Sequence, residues 1–163
     1  MNNITVGISQ TTIAVNNANN NALLKLLIFE VGKLILALSI QQVQKVVRNN
    51  PVYGSGLSYV NLTHLGDQEV TVIDLHQKLF KVSQTETSGT GYFIISKNVT
   101  GEPLGIAVAQ TPTVIDVPLA QIRTLPESYR RADTLEIASH VAVIPQENNT
   151  SLTIFILDLE RLV

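Results

Sequence analysis

The stretch LTHLGDQEVTVIDLHQKLF, residues 62–80, decides the fold. Its middle, residues 69–74, alternates and is rich in β-branched side chains. Val70 and Val72 point one way and Thr71 and Ile73 the other, which is the period of a strand. Asp74 then changes the period, because its carboxylate can accept a bond from a first-turn N–H and so start a helix. Leu75 and Leu79, four apart, share one face of that short helix. Upstream, Gly66-Asp67 makes a turn that folds residues 62–65 back as a partner strand. The unit is strand, tight turn, strand and capped helical turn.

The end of that unit recurs at the end of the sequence. Residues 152–157 (LTIFIL) read as a strand closed by Asp158-Leu159, with Leu162 returning to the side of Leu159. A second pair echoes as well. Residues 29–31, the Gly32-Lys33 turn and residues 34–38 resemble residues 93–96, a turn near Gly101 and residues 104–108. Each of these hairpins precedes a Val-rich strand, residues 43–47 and 114–117. All-β chains can produce such echoes by chance; the other reading is two similar small β-barrels in one chain.

Composition supports a β-rich interior. The 163 residues are 45% hydrophobic but only 5% aromatic, so the core must be built mainly of Val, Ile and Leu. That length fits one domain, or two small subdomains sharing a core. The net charge of −2 gives no electrostatic footprint for nucleic acid or an anionic membrane. With no cysteine there are no disulfides or thiolate metal sites, which fits a reducing compartment. No apolar run approaches the ~20 residues that span a bilayer. The N-terminal residues lack the charged and apolar regions of a secretory leader, and a cytoplasmic location is expected. Asn3, Asn61, Asn98 and Asn148 begin Asn-x-Thr triplets, which carry no meaning without secretion.

Taken in order, residues 1–21 are polar and Asn-rich, and read as a flexible N-terminal segment with at most a loosely docked strand. Residues 22–163 read as one domain made of two β-barrel subdomains. Residues 23–31 and 34–38 are apolar at nearly every position, which predicts strands buried on both faces. Ile40, Val43 and Val47 suggest a helical turn running into strand. Residues 49–58, with Pro51, Gly54 and Gly56, read as a loop. Residues 83–91 read as a polar tip. Pro112 and Pro118 bracket a short or edge strand. Residues 119–122 can make one helical turn, and residues 123–138 read as a solvated connection containing a helical segment. Residues 138–144 and 152–157 are strands around a polar tip.

Candidates for chemistry are sparse. His64, Asp74 and His76 lie close in sequence, and as metal ligands or catalytic groups they would have to converge on one point. His140 is the only other histidine. There is no Gly-x-Ser-x-Gly elbow, P-loop or Gly-x-Gly-x-x-Gly motif. Asp74 and Asp158 read as caps, and Arg130-Arg131, flanked by Glu127 and Asp133, as a solvated face. Nothing in the residues argues for an enzyme or a cofactor.

The organising stretch resembles the CheW-like domain family, the coupling proteins of bacterial chemoreceptor arrays. The similarity runs from about residue 23 to residue 163. It rests on the Phe29-x-Val31-Gly32 hairpin, Val72-Ile73-Asp74-Leu75, Gly105-Ile106-Ala107-Val108, residues 114–118, and Leu157-Asp158-Leu159 with Leu162. The resemblance implies a mostly β fold of two intertwined five-stranded SH3-like barrels with short helical turns. It also implies an adaptor without catalysis. Its partners would be the regulatory domain of a CheA-type histidine kinase, on one barrel, and the cytoplasmic tip of a chemoreceptor, in a groove between barrels. By position, the family's Val-x-Glu segment falls on Val43-Gln44-Lys45 and its Asn-Leu-Arg-Gly turn on His64-Leu65-Gly66-Asp67. Lys45 thus reverses a charge, Gly66 replaces the turn arginine, Thr71 a proline and Ala109 an aspartate.

Three functions follow. The first is a CheW-like adaptor that binds partners through Val43, Lys45, Val47, Leu65, Gly66 and Asp67, with an exposed apolar strip near Val43, Val47 and Leu65. The second is a diverged binding module whose partners are not chemosensory. The third is a small β-barrel metal-binding enzyme using His64, Asp74 and His76.

Overall fold

The computed structural model describes residues 5–8, 11–14, 22–57, 59–82, 91–130 and 136–162. Strands β1 (Thr5–Ile8) and β2 (Thr11–Ala14) pair with each other as an antiparallel hairpin, a sheet of their own. The remainder of the expected flexible segment 1–21, and residues 83–90 of the expected polar tip 83–91, lie outside the described residues.

The other strands are β3 (Leu23–Val31), β4 (Leu34–Ser39), β5 (Val43–Arg48), β6 (Tyr53–Leu57), β7 (Val60–Leu65), β8 (Gln68–Ile73), β9 (Tyr92–Lys97), β10 (Pro103–Val108), β11 (Thr113–Pro118), β12 (Ile122–Thr124), β13 (Ala138–Pro145) and β14 (Ser151–Leu157). They form two six-stranded sheets. The first has the order β5-β9-β10-β8-β7-β6 and the second β11-β3-β4-β14-β13-β12. This is the expected mostly β architecture, with one strand more than five in each sheet. The added strands are β6, where residues 49–58 were expected to be loop, and the three-residue β12. Short helical turns complete the chain: 3-10 turns at Ile40–Gln42 and Leu119–Gln121, helix α1 (Leu75–Phe80) and helix α2 (Glu127–Arg130).

The sequence echo is a real structural repeat, and the two copies are interleaved. Residues 22–82 and 91–162 are the two halves. In the first sheet the β9–β10 hairpin of the second half is inserted between β5 and β8 of the first. In the second sheet the β3–β4 hairpin of the first half is inserted between β11 and β14 of the second. The insertions match in direction. β10 runs parallel to β8, with Gly105 opposite Val72, and β14 runs parallel to β4, with Phe155 opposite Leu36. β5 is antiparallel to β9 and β11 antiparallel to β3.

The ends of the repeat match in kind. The Asp74 amide donates to the carbonyl of Tyr59, which precedes β7, and the Asp158 amide donates to that of Ile137, which precedes β13, each at 2.8 Å. The Asp74 carboxylate accepts from the Gln77 amide at 3.0 Å and caps α1. That of Asp158 accepts from the Glu160 amide at 3.1 Å and caps the 3-10 turn Leu159–Arg161. Each carboxylate satisfies one orphan donor and turns the chain back over the sheet.

Alternation along the central strands divides the apolar residues into three clusters. The largest lies between the sheets: Leu27, Leu36 and Leu38 from one side meet Ile73, Ile94 and Ile106 from the other. Leu75 and Leu79 of α1, and their counterparts Leu159 and Leu162, close it. Leu24, Leu26, Ala37, Ile154 and Ile156 face the opposite way and fill the second sheet. Val70, Val72, Phe93 and Ile95 fill the first. Strands β3 and β4 are thus buried on both faces, which explains their almost unbroken apolar sequence.

Candidate partner-binding surface

Strand β5 lies at one edge of the first sheet and is mostly exposed: Gln44, Lys45, Val46 and Arg48 face solvent. Its register against β9 shifts between Val43, opposite Ser96, and Lys45, opposite Ile95. Such a bulge puts an extra residue in one strand and reverses the side-chain alternation beyond it. The effect here is visible. Val43 packs against the cluster between the sheets, whereas Val47 packs against the interior of the first sheet. In an unbroken strand, positions four apart would share a face.

The expected apolar strip therefore does not form as one exposed surface. Val43, Val47 and Leu65 are all partly buried. Val47 and Leu65 meet at the same cluster, and Val43 lies on the other side of the strand. The exposed members of the candidate set are Lys45, Gly66 and Asp67. Gly66 sits in the β7–β8 turn at φ +63°, in the left-handed region where a Cβ is unfavourable. This turn geometry accounts for a glycine at the position where the family's arginine would stand.

The connection from β5 to β6 ties these elements together. Thr63 Oγ1 donates to the Pro51 carbonyl at 2.8 Å, and Asn50 Nδ2 donates to the His64 carbonyl at 3.1 Å. An open cleft of about 330 Å³ is lined by Asn50, Pro51, Tyr53 and His64. The Tyr53 and His64 rings meet edge-to-face with centroids 6.3 Å apart, and Tyr53 is 60% exposed. Arg48, just upstream, lies 5.8 Å over the Tyr92 ring. The surface carries both signs of charge, with Lys45 and Arg48 on β5, and Asp67 and Glu69 at the β7–β8 end. The sequence reading missed Asn50, Pro51 and Tyr53 because it took this stretch for an unstructured loop. An aromatic side chain following Pro51-Val52 was the available signal.

The same geometry separates the proposed metal or catalytic cluster. His64 is opposite Glu69, whereas Asp74 follows Ile73, which is opposite Val60. The four residue steps from Glu69 to Ile73 span about 13 Å at ~3.3 Å per residue. His64 and Asp74 thus lie at opposite ends of the β7–β8 hairpin. The Asp74 carboxylate is buried and engaged as a cap. His76 Nδ1 donates to the Val82 carbonyl, and its ring packs on Phe80 with centroids 5.0 Å apart. His140 is buried beside the Ser139 hydroxyl, 2.7 Å from Nδ1. Among the described residues no group of three or more His, Asp or Glu is placed to hold a metal ion. Among the same residues, no helix is long and apolar enough to cross a membrane.

Comparison with known proteins gives a consistent result. None of the curated proteins matches the sequence. Among solved structures, the scaffolding protein TtCheW from Thermoanaerobacter tengcongensis superposes with a TM-score of 0.67. The match covers 85% of this chain and 86% of that one, at 19% identity, so it speaks to the fold. The family model for the CheW-like domain matches residues 25–163, from the third residue of β3 through β14 and its capped turn. With two interleaved sheets, two Asp-capped returns and that match over most of its length, the chain belongs to the CheW-like domain family.

Proposed function

We propose that this protein is a non-catalytic adaptor of the cytoplasm that couples chemoreceptors to a CheA-type histidine kinase. It would do so by holding the kinase regulatory domain and a receptor's cytoplasmic tip at a fixed separation. The observation that carries this reading is the reciprocal insertion of hairpins beneath a family-wide match. Two barrels locked into one body by a shared core can present two surfaces whose spacing does not vary. Communication between partners then follows from geometry, with no bond made or broken. The exposed residues Lys45, Gly66 and Asp67, with the half-buried Val43, Val47 and Leu65, are the proposed partner-binding set.

The test is calorimetry of the purified chain against the regulatory domain of a CheA-type kinase from the same cell. One-to-one binding is expected, and Lys45→Ala should weaken it about threefold, and make it less sensitive to salt, by removing a charge at the rim. Lys45 is exposed, so this variant keeps its fold. Val43→Asp and Leu65→Asp are poorer probes, because both would put a charge into partly buried positions. Absence of binding to any such kinase would favour a module with other partners. The glycine at position 66, which removes the family's turn arginine, is the observation on that side.

A further inference from the structure

We infer that this chain can exchange halves with a second copy of itself, and that the length of the connection between Val82 and Gly91 sets the balance between monomer and exchanged dimer. The inference rests on strand order and hydrogen bonding. Neither half completes a sheet alone. Without the second half, β5 and β8 have no strands between them and β3–β4 is left as an isolated hairpin. Without the first half, β11 and β14 are separated and β9–β10 is left over. Four strand pairings join the halves: β5 with β9, β8 with β10, β3 with β11 and β4 with β14. The largest apolar cluster also takes residues from both, with Leu27 and Leu38 from the first and Ile94 and Leu157 from the second.

All of these bonds are satisfied equally well when the second half comes from another chain. The two arrangements differ in which chain's second half follows the eight-residue connection 83–90 into the sheets. Such an exchange creates no new interface and buries the same side chains, so the intrinsic cost of swapping is small. The balance is then set by how readily the connection lets the two halves of one chain meet, against the concentration of a second chain. The repeat makes the point within the monomer. Each barrel is already built from the leading hairpin of one half and the trailing hairpin of the other.

The experiment uses the full chain in two differently tagged forms, analysed by size-exclusion chromatography with light scattering. Unfolded together in denaturant and refolded at high concentration, they should yield a species of twice 17.8 kDa carrying both tags. Native proteins mixed without denaturant should not form it, because exchange requires both sheets to open. Deleting residues 84–89 should convert the minor dimer into the major species. Three results would overturn the inference. One is refolding only to monomers at every concentration. Another is a mixed dimer that assembles from native proteins, which would mean a surface contact. The third is a shortened chain that stays monomeric with an unchanged circular dichroism spectrum. If the shortened chain does not fold, the refolding of the two full-length forms decides alone.

Discussion

The two barrels share a plan but are filled differently. Among the described residues, the second sheet encloses eight that are buried, including Leu24, Leu26, Ile154 and Ile156. Among the same residues the first encloses four, and Phe93 is the one large ring of that group. The second sheet thus has an aliphatic interior with many members, while the first relies on one aromatic side chain and on the cluster between the sheets. The lesson is that a barrel with a small private core can be sustained by a neighbour. Interleaving makes that support compulsory, since the leading hairpin of each half is hydrogen-bonded along both of its edges by strands of the other.

The largest test of this comparison is a matched pair of core truncations. Phe93→Ala should cost about 3–5 kcal/mol and Ile156→Ala about 2–5 kcal/mol by denaturant titration. Both should leave a single transition. Amide hydrogen exchange sharpens the result: the slowest amides of both sheets should lose protection together, whichever barrel carries the substitution. Loss confined to the sheet that carries it would show that the barrels unfold independently.

A smaller contrast concerns the caps. Asp74→Ala removes the cap of the six-residue α1 and should cost about 1–2 kcal/mol, within the range for N-cap removal. Asp158→Ala removes the cap of a three-residue turn and should cost about half as much. Thermal melts of the two variants measure the difference, and equal losses would make the two returns energetically equivalent. The smallest effect belongs to the cross-strand pair Lys25–Asp116, 2.9 Å apart with both side chains about half exposed. Lys25→Ala should cost no more than about 1 kcal/mol, and less in high salt.

Much of this fold was legible in the chain. The alternation at Val70–Thr71–Val72–Ile73 placed each side chain on the face it occupies, and the two aspartates read correctly as caps. The unbroken apolar runs of β3 and β4 announced burial on two faces. Local pattern was silent where local pattern does not decide. β6 contains Gly54, Ser55 and Gly56, poor strand formers, and is a strand because β7 offers it a ladder. β12 is three residues long and forms against β13 in the same way. The order of insertion had no local signal either, because the choice between β8 and β14 as partner for β4 is made by long-range packing. The family resemblance supplied the intertwining.

The candidate surface was less legible for one identifiable reason. A reading of β5 by period two puts Val43 and Val47 together, and the bulge between Val43 and Lys45 separates them. No residue in Val43-Gln44-Lys45 marks that bulge. The histidine cluster failed for a related reason: closeness in sequence across a hairpin turn is not closeness in space once the strands extend.

Reciprocal insertion also bears on how the protein is made. β4 lies between β3 and β14, so during synthesis the second strand of the first half must wait for one of the last strands to emerge before its second edge is paired. Until then the nascent chain carries Leu27, Leu36 and Leu38 without their partners Ile94, Ile106 and Leu157. A topology with so many distant pairings folds slowly and leaves sticky surface uncovered meanwhile. Slow folding of this kind raises the demand on chaperones, and a message truncated before β14 yields a chain whose second sheet lacks the strand that joins β4 to β13.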